Sequence, residues 1–227
     1  VSPRFECDAA CTALQTCGPD GCVDFPEQHS VGDVTISGLA VPMVMSPTGR
    51  NSYSNPTSAM LPHPGFEPGA TLVLSAAGDE YSGFELSGWG VSPLSVPAAL
   101  PEVRRDQPTE IRWTAPESAG VARVYLALNI DNHGSSAARI ECLTDDDGEL
   151  DIDASLTSQL LDRGLSGFPS LTLHRRTVDQ TTIEPGCVEF VVGSELVIDV
   201  EVEGLTTCST NDDCPSDQAC QPNLSCG

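Results

Sequence analysis

Lysine is absent from this chain. Its ten basic residues are all arginine and stand against 33 Asp and Glu, which leaves a net charge of -23. Such a field repels phosphate, so nucleic acid and anionic membrane surfaces are excluded as ready partners. No run approaches the ~18 consecutive apolar residues of a membrane-crossing helix, so no membrane insertion is expected. The start Val1-Ser2-Pro3-Arg4 lacks the apolar core of a signal peptide, and the expectation is a mature chain from which an export signal has been removed. Aromatic residues are sparse, with 2 Trp, 3 Tyr and 6 Phe, so the position of each Trp carries weight.

Signatures of catalysis are missing as well. Gly164-Leu165-Ser166-Gly167 has its second glycine at the wrong offset for a nucleophile elbow, and Ser82 has Glu80 and Phe84 where glycines belong. His29, His63, His133 and His174 are dispersed, and none sits in an H-E-x-x-H motif. Carboxylates are so abundant that no pair of them singles out a glycosidase. The chain is read as a non-enzyme.

What the sequence does have is cysteine, ten in all, mostly in two short blocks. The first is Cys7, Cys11, Cys17 and Cys22, within a segment 1–24 where a short helical turn is expected over Ala9 to Gln15. The second, within 206–227, is Cys208, Cys214, Cys220 and Cys226 at a constant spacing of six. Even clusters at compact spacing read as disulfides in an oxidising compartment, with three connectivities open in each block. Cys142 and Cys187 remain and are expected to bridge two distant strands.

The second block carries Asn211-Asp212-Asp213-Cys214-Pro215-Ser216-Asp217-Gln218-Ala219-Cys220. This pattern resembles the cysteine-rich segments related to the Dickkopf amino-terminal region, which recur in secreted proteins of predatory and marine bacteria. The resemblance covers about 20 residues, a small part of any domain. It implies an extracellular setting and disulfides, with a bacterial exoprotein as the source class. No catalytic residue transfers.

Between the blocks, residues 25–205 alternate apolar and polar side chains, as in Thr71-Leu72-Val73-Leu74-Ser75, Thr109-Glu110-Ile111-Arg112-Trp113 and Val197 to Glu203. In the last of these, Ile198, Val200 and Val202 share an inward face while Asp199, Glu201 and Glu203 face solvent. Further strands are expected at Val34–Val41, Tyr81–Gly88, Val121–Asp131, Ala138–Leu143, Ser170–Arg176 and Cys187–Val192. With Pro and Gly turns between them, the fold class is all-β: an antiparallel β-sandwich, Ig-like or jelly-roll. One short helix is expected over Ser155–Asp162, capped by Ser155, with Leu156, Leu160 and Leu161 as its apolar stripe.

Four features could hold a ligand. Asp145-Asp146-Asp147-Gly148-Glu149-Leu150-Asp151-Ile152-Asp153 is dense in oxygen donors, and Asp145, Asp147, Glu149 and Asp151 form a candidate Ca²⁺ site. The EF-hand register fails, because position one falls on Leu143 and position twelve on Ala154. The competing reading is an acidic hairpin turn at Asp147-Gly148. Trp89, between Gly88 and Gly90, could present its ring to a sugar, against a core or sheet-edge packing reading, whereas Trp113 sits mid-strand in a core position. Met43, Met45 and Met60 near His63 form a soft-ligand grouping for Cu(I), against a strand-end reading for Met43 and Met45. The proline-rich stretch Pro42 to Pro68 is a binding loop or a connector between sheets.

The expectation is a non-catalytic secreted protein of the cell surface or extracellular matrix, without a resident cofactor unless Ca²⁺ binds. It would act on surface or matrix components or on other copies of itself, as a filament or lattice subunit. A calcium-dependent or carbohydrate-binding sandwich module is the alternative, with a secreted hydrolase ranked behind it.

Overall fold

The computed structural model describes residues 11–18, 21–25, 27–54, 62–117, 120–130, 138–184 and 186–227. Cys7, Met60 and His133 lie outside the described residues. The chain opens on a small hairpin of β1 (Gln15–Gly18) and β2 (Gly21–Asp24). It continues through β3 (Val34–Ser37), β4 (Met43–Met45), β5 (Thr71–Ala76) and β6 (Phe84–Trp89), an antiparallel sheet in the order β4-β3-β5-β6. Next come β7 (Glu102–Val103), β8 (Thr109–Arg112), β9 (Arg123–Asn129), β10 (Arg139–Asp145) and β11 (Glu149–Ile152). After helix α1 (Ala154–Leu161) the chain closes with β12 (Ser170–Ile183), β13 (Gly186–Asp199) and β14 (Glu201–Val202). A second antiparallel sheet runs β10-β9-β12-β13, while β8 pairs with β11 and β7 with β14. The chain is therefore all-β with one α-helix among the described residues.

Two apolar cores form, and one hairpin serves both. In the first, Val124, Leu126, Leu128, Leu171 and Leu173 from the β10-β9-β12-β13 sheet meet Val103, Ile111, Ile152, Val202 and Leu160 of α1. Most of these side chains are fully buried, each contributing about 1.5–3 kcal/mol by leaving water. In the second, Leu72 and Leu86 of the β4-β3-β5-β6 sheet meet Phe190 and Val192 of β13. β12 and β13 are 14 residues each and pair along their whole length, from Ser170↔Asp199 to Ile183↔Gly186. Their inner face is Leu171, Leu173, Leu196 and Ile198 in the first core and Phe190 and Val192 in the second. Residues 25–205 thus hold two lobes joined by a shared hairpin. Gly88 permits the close approach of β6 to it, since a Cβ there would collide with the Val192 side chain.

Strand expectations stand for most segments, and the differences have physical causes. The hairpin extends well beyond Arg176 because Thr177 and Asp179 bond to the β6 backbone: Asp179 Oδ2 accepts from Ser87 N–H (2.8 Å). Such support from 92 residues away leaves no local pattern. The helix starts one residue early, at Ala154, and its N-cap is Asp153 rather than Ser155. Its buried side is Thr157 and Leu160, which leaves Leu156 exposed. Thr157 and Thr109 are both fully buried and share a hydrogen bond (3.1 Å) that ties α1 to β8. No helix forms over residues 11–15, where β1 begins at Gln15.

In the first cysteine block Cys11 bonds Cys22, and Cys17 is also disulfide-bonded. In the last block the bridges are Cys208–Cys220 and Cys214–Cys226. The Asn-Asp-Asp-Cys turn is structural: Asn211 Oδ1 accepts from Cys220 N–H (2.9 Å), and Asp213 Oδ2 accepts from Ser209 and Thr210 N–H (2.8 and 2.9 Å). These backbone donors hold the Asp213 carboxyl below its ordinary pKa. The block docks on the loop after α1, with Gly167 N–H donating to Asn223 O (2.7 Å) and the Asn223 amide to Leu165 O (3.3 Å).

The expected bridge between Cys142 and Cys187 does not form, and both are free thiols. Cys142 lies in the row that runs through Leu126 and Leu173 to Leu196, while Cys187 is nine residues further along β13. That is about 30 Å along the strands, against the ~7 Å upper limit between Cα atoms of a disulfide. Cys142 packs against the first core, and Cys187 lies in the opposite, outer-facing register of β13. Burial pushes the Cys142 thiol pKa up. Alkylation of the folded protein at neutral pH followed by peptide mapping is expected to label Cys187 first and the half-buried Cys142 more slowly; a linked Cys142–Cys187 peptide would contradict the structure.

Candidate functional site

The junction of the lobes is polar, and its centre is Arg175. Alternation along β12 places Leu171, Leu173, Arg175 and Thr177 on one inward face, so a guanidinium enters between the two cores. Its side chain is 2% exposed and that of Asp146 5%. Arg175 Nε and Nη2 donate to Asp146 Oδ2 and Oδ1 at 2.6 and 3.0 Å. Nη2 also donates to Thr114 O (2.6 Å), and Nη1 to Ser92 O, Ser92 Oγ and Pro93 O (3.2, 3.1 and 3.2 Å). Trp113 Nε1–H donates to Asp146 Oδ1 (2.8 Å). The bidentate pair and these extra acceptors are what makes a buried charge tolerable.

Above this pair opens a cleft of about 760 Å³. Its lining comes from both lobes and includes Pro68 and Trp89, Ala115, Pro116, Glu117 and Val121, and Val91 and Pro93 of the connecting segment. Asp146, Arg175 and Thr177 also line it. Thr177 fixes Trp89 from beneath, because its Oγ accepts from Trp89 N–H and donates to Trp89 O, both at 3.1 Å. The backbone is held while the ring stays 51% exposed. Trp113, by contrast, is buried at 5% and belongs to the first core.

The cleft can offer an aromatic face and a few hydroxyls. Ser92 Oγ accepts from Arg175, and Thr114 Oγ accepts from Ser95 Oγ (2.8 Å). A hydroxyl that accepts one bond retains its proton for donation. Among the lining residues the charged groups are Glu117, Asp146 and Arg175, and the last two face each other. Anionic ligands therefore meet no unpaired cation there.

The four carboxylates read as a calcium site are not brought together. Asp145 pairs with Arg123 (3.2 Å), and Asp147 Oδ1 accepts from Glu149 N–H (3.3 Å) across the Asp147-Gly148 turn, where Gly148 has φ +101°. Glu149 and Asp151 both face Arg112, at 3.8 and 2.6 Å. The acidic-turn arrangement is the one observed. Among the described residues the one grouping with metal-ligand convergence is the sulfurs of Cys208, Cys214 and Cys226, which are already in disulfides. Met43 and Met45 lie on β4, as their strand-end reading has it. From the Pro42–Pro68 stretch, only Pro68 reaches the cleft among the described residues.

Asp146 and Arg175 were not singled out from the sequence as a pair. The available signal was parity, since Arg175 shares a strand face with Leu171 and Leu173.

No family model, curated protein or solved structure matches this chain.

Asp146→Ala leaves the Arg175 charge buried without its counter-ion. It is expected to cost about 3–5 kcal/mol in denaturant unfolding. A loss below about 1 kcal/mol would show that the pair is not the keystone of the junction.

Proposed function

We propose that this protein is a non-catalytic extracellular binding module of the cell surface or matrix, and that its ligand site is the Trp89 cleft, which receives a neutral saccharide. One observation carries the reading: a half-exposed tryptophan ring held at the mouth of a cleft between two lobes, its backbone locked by Thr177. The exposed half of the ring offers an apolar face for stacking on the C–H face of a sugar. The hydroxyls of Ser92 and Thr114 and the carboxylate of Glu117 are the polar groups for sugar hydroxyls. The net charge of -23 supports neutral over acidic glycans. Disulfides in both end segments support an oxidising, extracellular setting.

Titration of intrinsic fluorescence with neutral oligosaccharides is expected to show saturable quenching. Trp89→Ala should weaken binding at least about tenfold while the variant stays folded, with a stability loss of about 1–2 kcal/mol from the buried half of the ring. Unaltered affinity in that variant would remove the cleft as the site.

A further inference from the structure

We infer that copies of this chain join head to tail through the two free edges of one sheet, β13 of one copy continuing into β10 of the next. The inference goes beyond the saccharide reading and does not depend on it.

In the sheet β10-β9-β12-β13, strands β10 and β13 each pair on one side only among the described residues. Open edges are usually blunted by Lys, Pro or a short length. Here β10 is Arg139-Ile140-Glu141-Cys142-Leu143-Thr144-Asp145 and β13 is 14 residues long, and neither contains Pro; in a chain without Lys their charges are Arg, Asp and Glu.

The rows of the sheet end in register at its two edges. Arg139 pairs with Asn129, Asn129 with Ser170 and Ser170 with Asp199, so one row has a base at one edge and an acid at the other. The same bookkeeping runs to Asp145, Arg123, Arg176 and Gly193, seven rows in step with the seven residues of β10. All three pairings are antiparallel, so a translated copy presents its β10 antiparallel to β13 and keeps the alternation of faces. On the inner face Ile198 then meets Ile140 of the next copy, Leu196 meets Cys142 and Ser194 meets Thr144: apolar on apolar twice, then polar on polar. Ile140, Cys142, Leu196 and Ile198 are the partly buried margin of the first core, apolar side chains that a neighbour would finish covering. On the outer face Asp199 meets Arg139, which within one copy pairs with Glu141, while Val197 faces Glu141 and Glu195 faces Leu143 of the next copy. A contact between different edges that does not close generates a filament.

The charge pair supplies the test. Asp199→Arg and Arg139→Glu place like charges at every junction when each variant is alone, and opposite charges at every junction when the two are mixed. At physiological salt, where screening acts within about 8 Å, wild-type protein at up to about 1 mM is expected to give elongated particles by light scattering and electron microscopy. Each single variant should need about tenfold more protein for the same effect, and an equimolar mixture should recover wild-type behaviour. Monodisperse wild-type monomers throughout that range would overturn the inference, as would single variants that assemble like wild type or a mixture that fails to recover. Thermal melts of both variants, expected to match wild type because Arg139 and Asp199 are exposed, separate loss of assembly from loss of fold. Fluorescence titration of the monomeric variants with saccharide reads the cleft separately.

Discussion

The architecture depends on the Arg175–Asp146 ion pair. Both ends of the shared hairpin need an apolar inner face, yet the chain must cross from one core to the other, and at the crossing it uncovers backbone carbonyls at Ser92, Pro93 and Thr114. A buried carbonyl without a donor is costly. One guanidinium, with five N–H groups in a rigid fork, supplies donors to all three and still holds Asp146 bidentately. Lysine, a point charge on a flexible stem, could not distribute its protons this way. The relative placement of the connecting segment, the β8–β9 loop and the β10–β11 turn follows from that one side chain.

The class of fold was legible because period-two patterning and turn residues are local signals. Leu72 and Leu86 are buried where alternation places them, and Asp199, Glu201 and Glu203 are exposed as expected. Partnership across distance was less legible. Cys142 and Cys187 looked like a pair only by remainder, and parity already argued against them: Cys142 shares the inward register of Leu126, whereas Cys187 alternates with the inward Val188 and Phe190. The division into two lobes was hidden because β12 and β13 belong to both, so composition shows no boundary between them. The flanking glycines of Trp89 left exposure and core or sheet-edge packing both open, with packing the stronger reading; that it lines a cleft required residues 114–117, 120–122, Arg175 and Thr177 to arrive from elsewhere.

The acidic run shows how alternation disperses charge. Asp145 at the end of β10, Asp146 in the turn, and Glu149 and Asp151 on β11 point to Arg123, Arg175 and Arg112 respectively, so a contiguous block of carboxylates becomes three separate electrostatic contacts. The exposed pairs add little to stability, because water and salt screen them and ordered side chains lose entropy. Only the pair at the junction is removed from solvent. Density of charge in sequence is thus a poor guide to density in space when the backbone is extended.

The shared hairpin also sets an order of events. The sheet of β3 to β6 ends at Trp89, but the strands that cover its apolar face begin only at Ser170 and finish at Asp199. As the chain emerges from synthesis or export, Leu72 and Leu86 must wait for about a hundred residues before Phe190 and Val192 can shield them. The first lobe to be made is the last to be completed, and until then it is an open half-sandwich with unpaired edges. Neither lobe can be excised as an independent module without taking its roof from the other.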